Sequence, residues 1–241
     1  MATGKFTGIG IGPGDPELLT LKAVHALAEA DVVIAPRTEK RSDSIALSIA
    51  RPHMRGDSEV LELVFPMVYH AGELSDAWLE NRNIIQGRLD AGQNVVFLTL
   101  GDPMFYSTYI YVFELLTNCG HPIETIPGVT AFCAIASHHG TPIVEGDDVL
   151  SVVPATISPE KLDQVLAVSD RLVLMKISRN FNDLRDRLQH HGFAESALMV
   201  SKCGHAEEVV HEDLMTIDPA DVTYLSTILA RRRKPADAPS D

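Results

Sequence analysis

The run Asn94-Val-Val-Phe-Leu-Thr-Leu-Gly-Asp-Pro-Met-Phe-Tyr-Ser-Thr108 decides how the chain is read. Asn94 to Leu100 is a short, apolar-rich, β-branched segment of strand length. Gly101-Asp102-Pro103 then breaks it with three residues that favour turns for different physical reasons. From about Ser107 an apolar-rich stretch of helical length continues to Asn118 and stops at Gly120, so the segment reads as strand, loop and helix.

The same unit recurs on both sides. Lys5 to Ile11 reads as a first strand, and Asp15-Pro16-Glu17 opens a helix expected to run to about Ala30. Asp15 is a side-chain acceptor for free N–H groups, Pro16 suits the first helical position, and Glu17 complements the positive helix end. Further strands are expected at Val32 to Ala35, Glu59 to Val64 and Ile123 to Ile126, with helices at Ser44 to Arg51, Glu73 to Ala91 and through His138. After Gly140 come strands at Leu150 to Val153, Arg171 to Ile177, Ala197 to Ser201 and Tyr224 to Ala230, with helices starting near Ser158 and Phe181. Strands alternating with helices predict an α/β fold. Two α/β domains are expected, residues 1–120 and 121–235, with Ile123 opening the second and a disordered tail at 236–241.

Composition limits the function. The chain has 241 residues, of which 45% are hydrophobic and 22% charged, so it buries a substantial core. A formal net charge of −13 repels phosphate backbones and argues against nucleic acid as partner. No apolar stretch is long enough to span a membrane and no signal-peptide pattern is present, so a cytoplasmic protein is expected. Cys119, Cys133 and Cys203 form no C-x-x-C pair and read as free thiols of a reducing compartment. His138-His139, at a helix end, reads as a cap, and no protein metal site is expected.

Gly8-Ile-Gly-Ile-Gly-Pro-Gly-Asp15 resembles a dinucleotide-binding turn but fails the test. Counted from Gly10, Asp15 stands where the third glycine belongs. Pro13 lacks the N–H that a pyrophosphate needs, and Asp31 precedes the second strand instead of following it. Phosphate-loop and serine-hydrolase signatures are absent.

What remains is three strand-to-helix junctions rich in Gly, Pro and Asp: Gly12-Pro-Gly-Asp-Pro-Glu-Leu-Leu-Thr-Leu-Lys22, Leu100-Gly-Asp-Pro-Met-Phe-Tyr-Ser-Thr108 and Ile126-Pro-Gly-Val-Thr-Ala131. In open α/β sheets ligands collect beyond the carboxyl ends of strands. In order and text the three junctions resemble the signatures of the tetrapyrrole methylase family, over nearly the whole chain. The resemblance implies two α/β domains with the active site in the cleft between them, a homodimer, and S-adenosyl-L-methionine as cofactor, leaving as S-adenosyl-L-homocysteine. It assigns Pro13, Leu100, Gly101, Asp102, Phe105, Ser107, Thr108, Thr130, Ala131 and Met175 to cofactor binding.

Phe65-Pro66-Met67, Tyr106-Ser107-Thr108 and Glu145-Gly-Asp-Asp148, followed by Pro154-Ala-Thr156, are similar to the branch that methylates C-20 of precorrin-2-type rings. The activity implied is C-20 methylation of cobalt-precorrin-2 (cobalt-factor II) in cobalamin biosynthesis. A metal-free precorrin-2 substrate and a non-catalytic S-adenosylmethionine sensor stay open as alternatives. Methyl transfer to a meso carbon of a reduced tetrapyrrole needs in-line alignment more than strong acid catalysis. It also needs a base for the C-20 proton: Asp102 is the acidic residue nearest the motif core, although the resemblance gives it a part in shaping the cofactor loop, and Tyr106 and Tyr69 are weaker candidates. The carboxylates on the substrate call for cations, and Arg37, Lys40 and Arg41 are expected to supply them.

Overall fold

The computed structural model describes residues 3–37, 44–66 and 76–233. Lys40, Arg41, Met67, Tyr69 and the tail 236–241 lie outside the described residues. The chain divides into two compact units, Met1–Thr130 and Ala131–Asp241.

The first unit contains β1 (Phe6–Gly10), α1 (Leu21–Ala28), β2 (Val32–Arg37), α2 (Ile45–Ala50), β3 (Glu59–Val64), α3 (Asp76–Asp90), β4 (Val95–Thr99), α4 (Tyr109–Leu116) and β5 (Ile123–Ile126). Its sheet has the order β3-β2-β4-β1-β5, with every pairing parallel. Parallel sheets are covered on both faces, and β1 and β4 are wholly buried. Side chains alternate between the faces. Val33, Ala35, Val96 and Leu98 pack with Ala23 and Leu27 of α1 and with α2. Val32, Ile34, Val95 and Phe97 pack with Trp78, Ile85 and Leu89 of α3 and with Tyr109, Val112 and Leu116 of α4.

Two sequence expectations are corrected here. Ile123–Ile126 pairs with β1 and completes the first sheet, so it does not open the second domain. The division falls after Thr130, not near residue 120. A four-residue strand carries no sign of which sheet it joins; its pairing does. The expected helix from Asp15 to Ala30 is also two pieces. Asp15 caps a single 3-10 turn, Pro16–Leu18, by accepting from Glu17 N–H at 2.8 Å. Leu19 then turns extended into the core, and Thr20 caps α1 by accepting from Ala23 N–H. Burying Leu19 and gaining a second cap, worth about 1 kcal/mol, outweigh an unbroken helix.

The second unit contains α5 (Ala131–His138), β6 (Leu150–Pro154), α6 (Pro159–Val168), β7 (Arg171–Met175), α7 (Phe181–His190), β8 (Ala197–Ser201), β9 (Val209–His211) and β10 (Ser226–Arg231). Its sheet order is β6-β7-β10-β8-β9; β6 and β7 are parallel, and the remaining pairings are antiparallel. Leu172, Leu174, Met199, Ile228 and Ala230 face a core shared with α6 and α7. Val173, Val200 and Leu229 face Ile135 of α5. The short edge strand β9 was not anticipated. Its three residues are largely exposed and carry no alternating pattern.

Two motifs read from the sequence as branch signatures have structural work in this fold. Phe65 is buried, with its ring centroid 5.0 Å from Trp78 and 5.6 Å from Phe97. In the second unit Glu145 and Asp148 flank Arg171, the buried first residue of β7. Its Nε donates to Asp148 Oδ2 at 2.7 Å and its Nη2 to Glu145 Oε1 at 2.6 Å.

Candidate functional site

In the first sheet, the chain leaves β1 and β4 in opposite senses. Neighbouring in the sheet, the two strands are followed by helices on opposite faces, α1 on one and α4 on the other. That divergence is the switch point where open α/β sheets bind ligands. The loops after β1, β4 and β5 meet there.

Backbone packs on backbone in this cluster. Gly101 N–H donates to Gly12 O at 2.9 Å, and Ile11 N–H to Thr99 O at 3.0 Å. A Cβ on Gly10 would lie 2.5 Å from Gly101 O and from the N and Cα of Gly128, so no side chain fits. Gly101 differs. Its φ is +67°, and a Cβ there would find no atom nearer than Thr130 Cα at 3.8 Å. Gly101 therefore has room for a Cβ in ordinary contact with Thr130 and Val129, and faces no clash of the kind found at Gly10.

Asp102 ties the cluster together. Its Oδ2 accepts from Gly128 N–H at 3.0 Å and its Oδ1 from Met104 N–H at 2.8 Å. Both oxygens of this candidate base are engaged by the backbone of two loops. The Ser107 hydroxyl donates to Pro103 O, and Thr108 begins α4 without a side-chain cap bond. Tyr106 has a φ of 49°, which costs a non-glycine residue on the order of 1–3 kcal/mol, and its ring is 44% exposed and packs edge-on against Phe105 at 4.8 Å. Pro13 is buried after Gly12.

The hydroxyls of Thr99 and Thr130 are buried without a hydrogen-bond partner. An unsatisfied buried hydroxyl costs about 1–3 kcal/mol and calls for an explanation. For Thr130, a polar ligand lying beside Gly101 supplies one. The residues present thus fit a small polar cofactor: an uncrowded glycine, an unpartnered hydroxyl beside it, and a loop locked by Asp102.

Arg37 is the last residue of β2, not a loop residue, at the same carboxyl edge of the parallel sheet. Its Nε is 4.0 Å from Glu62 Oε2. Ala131 and Met175 belong to the second unit, as the first residue of α5 and the last of β7. Gly10, Gly128 and Thr99 were not assigned to the site from the sequence. Glycine in a strand or turn is common, and only the tertiary approach of the loops distinguishes these.

The second unit holds one further cluster. His139 Nε2 lies 3.1 Å and His138 Nδ1 3.7 Å from Glu208 Oε1. Burial, with the charge and hydrogen bond of Glu208, pushes the neighbouring Cys203 thiol up to about 12. His139 is bound side chain to side chain, which the expected capping role omits.

Glycine-lined loops at the switch point of a parallel sheet, followed by a second unit with a mixed sheet, define a two-unit α/β ligand-binding protein. Residues 5–218 match the tetrapyrrole (corrin/porphyrin) methylases, and the chain belongs to that family. It is 36% identical over 243 residues to the cobalamin biosynthesis protein CobIJ of Mycobacterium tuberculosis, a match covering 96% of this chain and 47% of that protein. The chain thus spans about half the length of that relative. It is 34% identical to the cobalt-precorrin-2 C(20)-methyltransferase of Salmonella typhimurium over 95% of this chain and 97% of the relative. Among solved structures, a cobalamin biosynthetic enzyme, cobalt precorrin-4 methyltransferase, superposes with a TM-score of 0.72 at 25% identity, covering 94% of each chain. No helix among the described residues is long and apolar enough to cross a membrane.

Proposed function

We propose that the chain is an S-adenosylmethionine-dependent methyltransferase acting on C-20 of cobalt-precorrin-2 (cobalt-factor II) in cobalamin biosynthesis. The observation that carries the cofactor half is the space at Gly101 with the unpartnered Thr130 hydroxyl beside it. The regiochemical half rests on the end-to-end similarity to a relative of that name and on the motifs at Phe65, Tyr106 and Glu145.

When bound, the cofactor supplies an electrophilic methyl group on a positively charged sulfur. The chain's own residues do the positioning. Asp102 holds the β4 loop to the β5 loop, so Leu100, Gly101 and Phe105 present a fixed edge to the ligand. Thr130 donates its hydroxyl to the cofactor, with Pro13, Ser107 and Thr108 shaping the surroundings, and the family resemblance adds Ala131 and Met175 to the cofactor residues. In-line alignment of this kind accounts for much of the acceleration such reactions need. Tyr106, exposed at the loop's tip, lies against the substrate and helps orient the ring, while the oxygens of Asp102 are engaged in holding the loop. Arg37, with Lys40 and Arg41, pairs with substrate carboxylates. The enzyme works as a cytoplasmic homodimer, with light scattering expected near twice 26.3 kDa.

The test is incubation with methyl-labelled S-adenosylmethionine and either cobalt-loaded or metal-free precorrin-2, followed by carbon NMR. Label at C-20, formed faster with the cobalt ring, is expected. Label on a pyrrole carbon overturns the regiochemistry, a faster metal-free reaction overturns the cobalt preference, and binding without turnover makes the chain a sensor.

A further inference from the structure

The His138, His139 and Glu208 cluster plays no part in the reaction above, and it is built in a way that a helix cap does not require. His138 is the last residue of α5 and His139 the next, while Glu208 lies at the end of the β8–β9 connection, about seventy residues on. Two imidazole nitrogens converge on a single carboxylate oxygen, at 3.1 and 3.7 Å. The three donor atoms all lie within 4.8 Å of one another. In a tetrahedral zinc site with bonds of about 2.0–2.1 Å, neighbouring donors are about 3.3 Å apart. Two of the spacings already bracket that value. Closing the third asks only for rotation of His138, which is exposed at the helix end.

The carboxylate is held from behind. Glu208 Oε2 accepts from Gly204 N–H at 2.7 Å. This leaves Oε1 facing the two histidines. Outer contacts that orient a ligating carboxylate are characteristic of metal centres. Two nitrogens and one oxygen suit a first-row transition ion of the zinc type better than calcium or magnesium, which take oxygen sets.

We propose that His138, His139 and Glu208 bind a divalent transition ion, for which zinc is the best chemical match, clipping the end of α5 to the β8–β9 connection. Three protein ligands leave one tetrahedral position for water. The clip holds the segment that leads into β9, a three-residue edge strand with little burial of its own. The site uses residues of the second unit alone, so it stands independently of the methyltransferase reading.

The test uses the full chain without an affinity tag, stripped with a chelator and titrated with zinc by calorimetry. One ion per chain is expected. Loss of an outer contact typically weakens a metal site about 10- to 100-fold, so Glu208→Gln and His139→Ala, which remove ligands, are expected to weaken binding by at least about 100-fold. His138→Ala, at an exposed position where folding is not at stake, is expected to weaken it at least about tenfold. Cobalt(II) is expected to give visible d–d absorption in the wild type that Glu208→Gln abolishes. A His190→Ala/His191→Ala variant controls for the other adjacent histidine pair and is expected to bind as the wild type does. No saturable binding in the wild type, wild-type affinity in His138→Ala or Glu208→Gln, or loss on removing His190 and His191 instead would each overturn the proposal.

Discussion

Asp102 separates two accounts of the site, because a carboxylate that staples loops and one that accepts a proton respond differently to the same change. Alanine at this position leaves two backbone N–H groups without their acceptor. Met104 is exposed, so its N–H turns to water at little cost. Gly128 is half-buried with its backbone against Gly10 and Gly101, and its N–H has poorer access to solvent. Leaving that donor unmet costs about 1–3 kcal/mol, with a smaller loss from the charge-assisted bond to Met104, so Asp102→Ala is expected to lower stability by about 2–4 kcal/mol. Asparagine keeps one acceptor but turns an NH2 towards one of the two donors, and about half that loss is expected. Since the same bonds set the geometry at Gly101, affinity for S-adenosylhomocysteine should fall with stability, roughly 10- to 100-fold in Asp102→Ala for 1.4–2.8 kcal/mol of lost placement. Urea unfolding and titration calorimetry read the two quantities. An Asp102→Asn protein with wild-type stability and cofactor affinity but no turnover would refute the staple and restore the carboxylate as base.

Gly101→Val places a branched side chain at φ +67° and fills the space there, so it should cost about 1–3 kcal/mol in stability and abolish cofactor binding; unchanged affinity in calorimetry would show that the ligand lies elsewhere. In the second unit, Arg171→Leu leaves Asp148 and Glu145 without their shared cation. Because Asp148 is nearly buried, a loss of about 3–5 kcal/mol is expected by urea unfolding, and a loss under about 1 kcal/mol would mean water already screens the cluster. Hydrogen bonds from Lys22 and Lys5 hold the Glu124 carboxyl below the usual carboxylate range. In acid the unfolded chain therefore takes up this proton before the folded one does. The stability Glu124 contributes is present above its unfolded value and is lost as pH falls through the folded one. The stability difference between wild type and Glu124→Gln should shrink between about pH 6 and pH 3, and a difference constant over that range would contradict the ion pairing.

Much of the site was legible because it rests on backbone chemistry that particular residues enforce. Gly101, Asp102 and Pro103 after an apolar strand announce a loop at a strand's end wherever the strand lies, and the three such junctions recur in the order of the tetrapyrrole methylases. The cap-and-proline start at Ser158 and Pro159 was likewise readable, since its hydrogen bond to Lys161 N–H is local. Asp102 was readable as a residue that shapes the cofactor loop, but not which loop it ties, because its partner Gly128 is a residue of another loop. Glu145 and Asp148 were visible as a motif, and only the fold shows that they surround Arg171.

From the sequence alone came the alternation of strands and helices, the loops that bear the site, and the exclusion of a dinucleotide fingerprint. All of these depend on residues within a few positions of one another, where propensity, capping and turn chemistry act. Tertiary structure alone decided that Ile123–Ile126 belongs to the first sheet, that Gly10 and Gly128 leave no room for a side chain, and that His138 and His139 meet Glu208. Each of those is a contact between segments whose separation along the chain is unrelated to their distance in space, set by which strands pair and which helix covers which face.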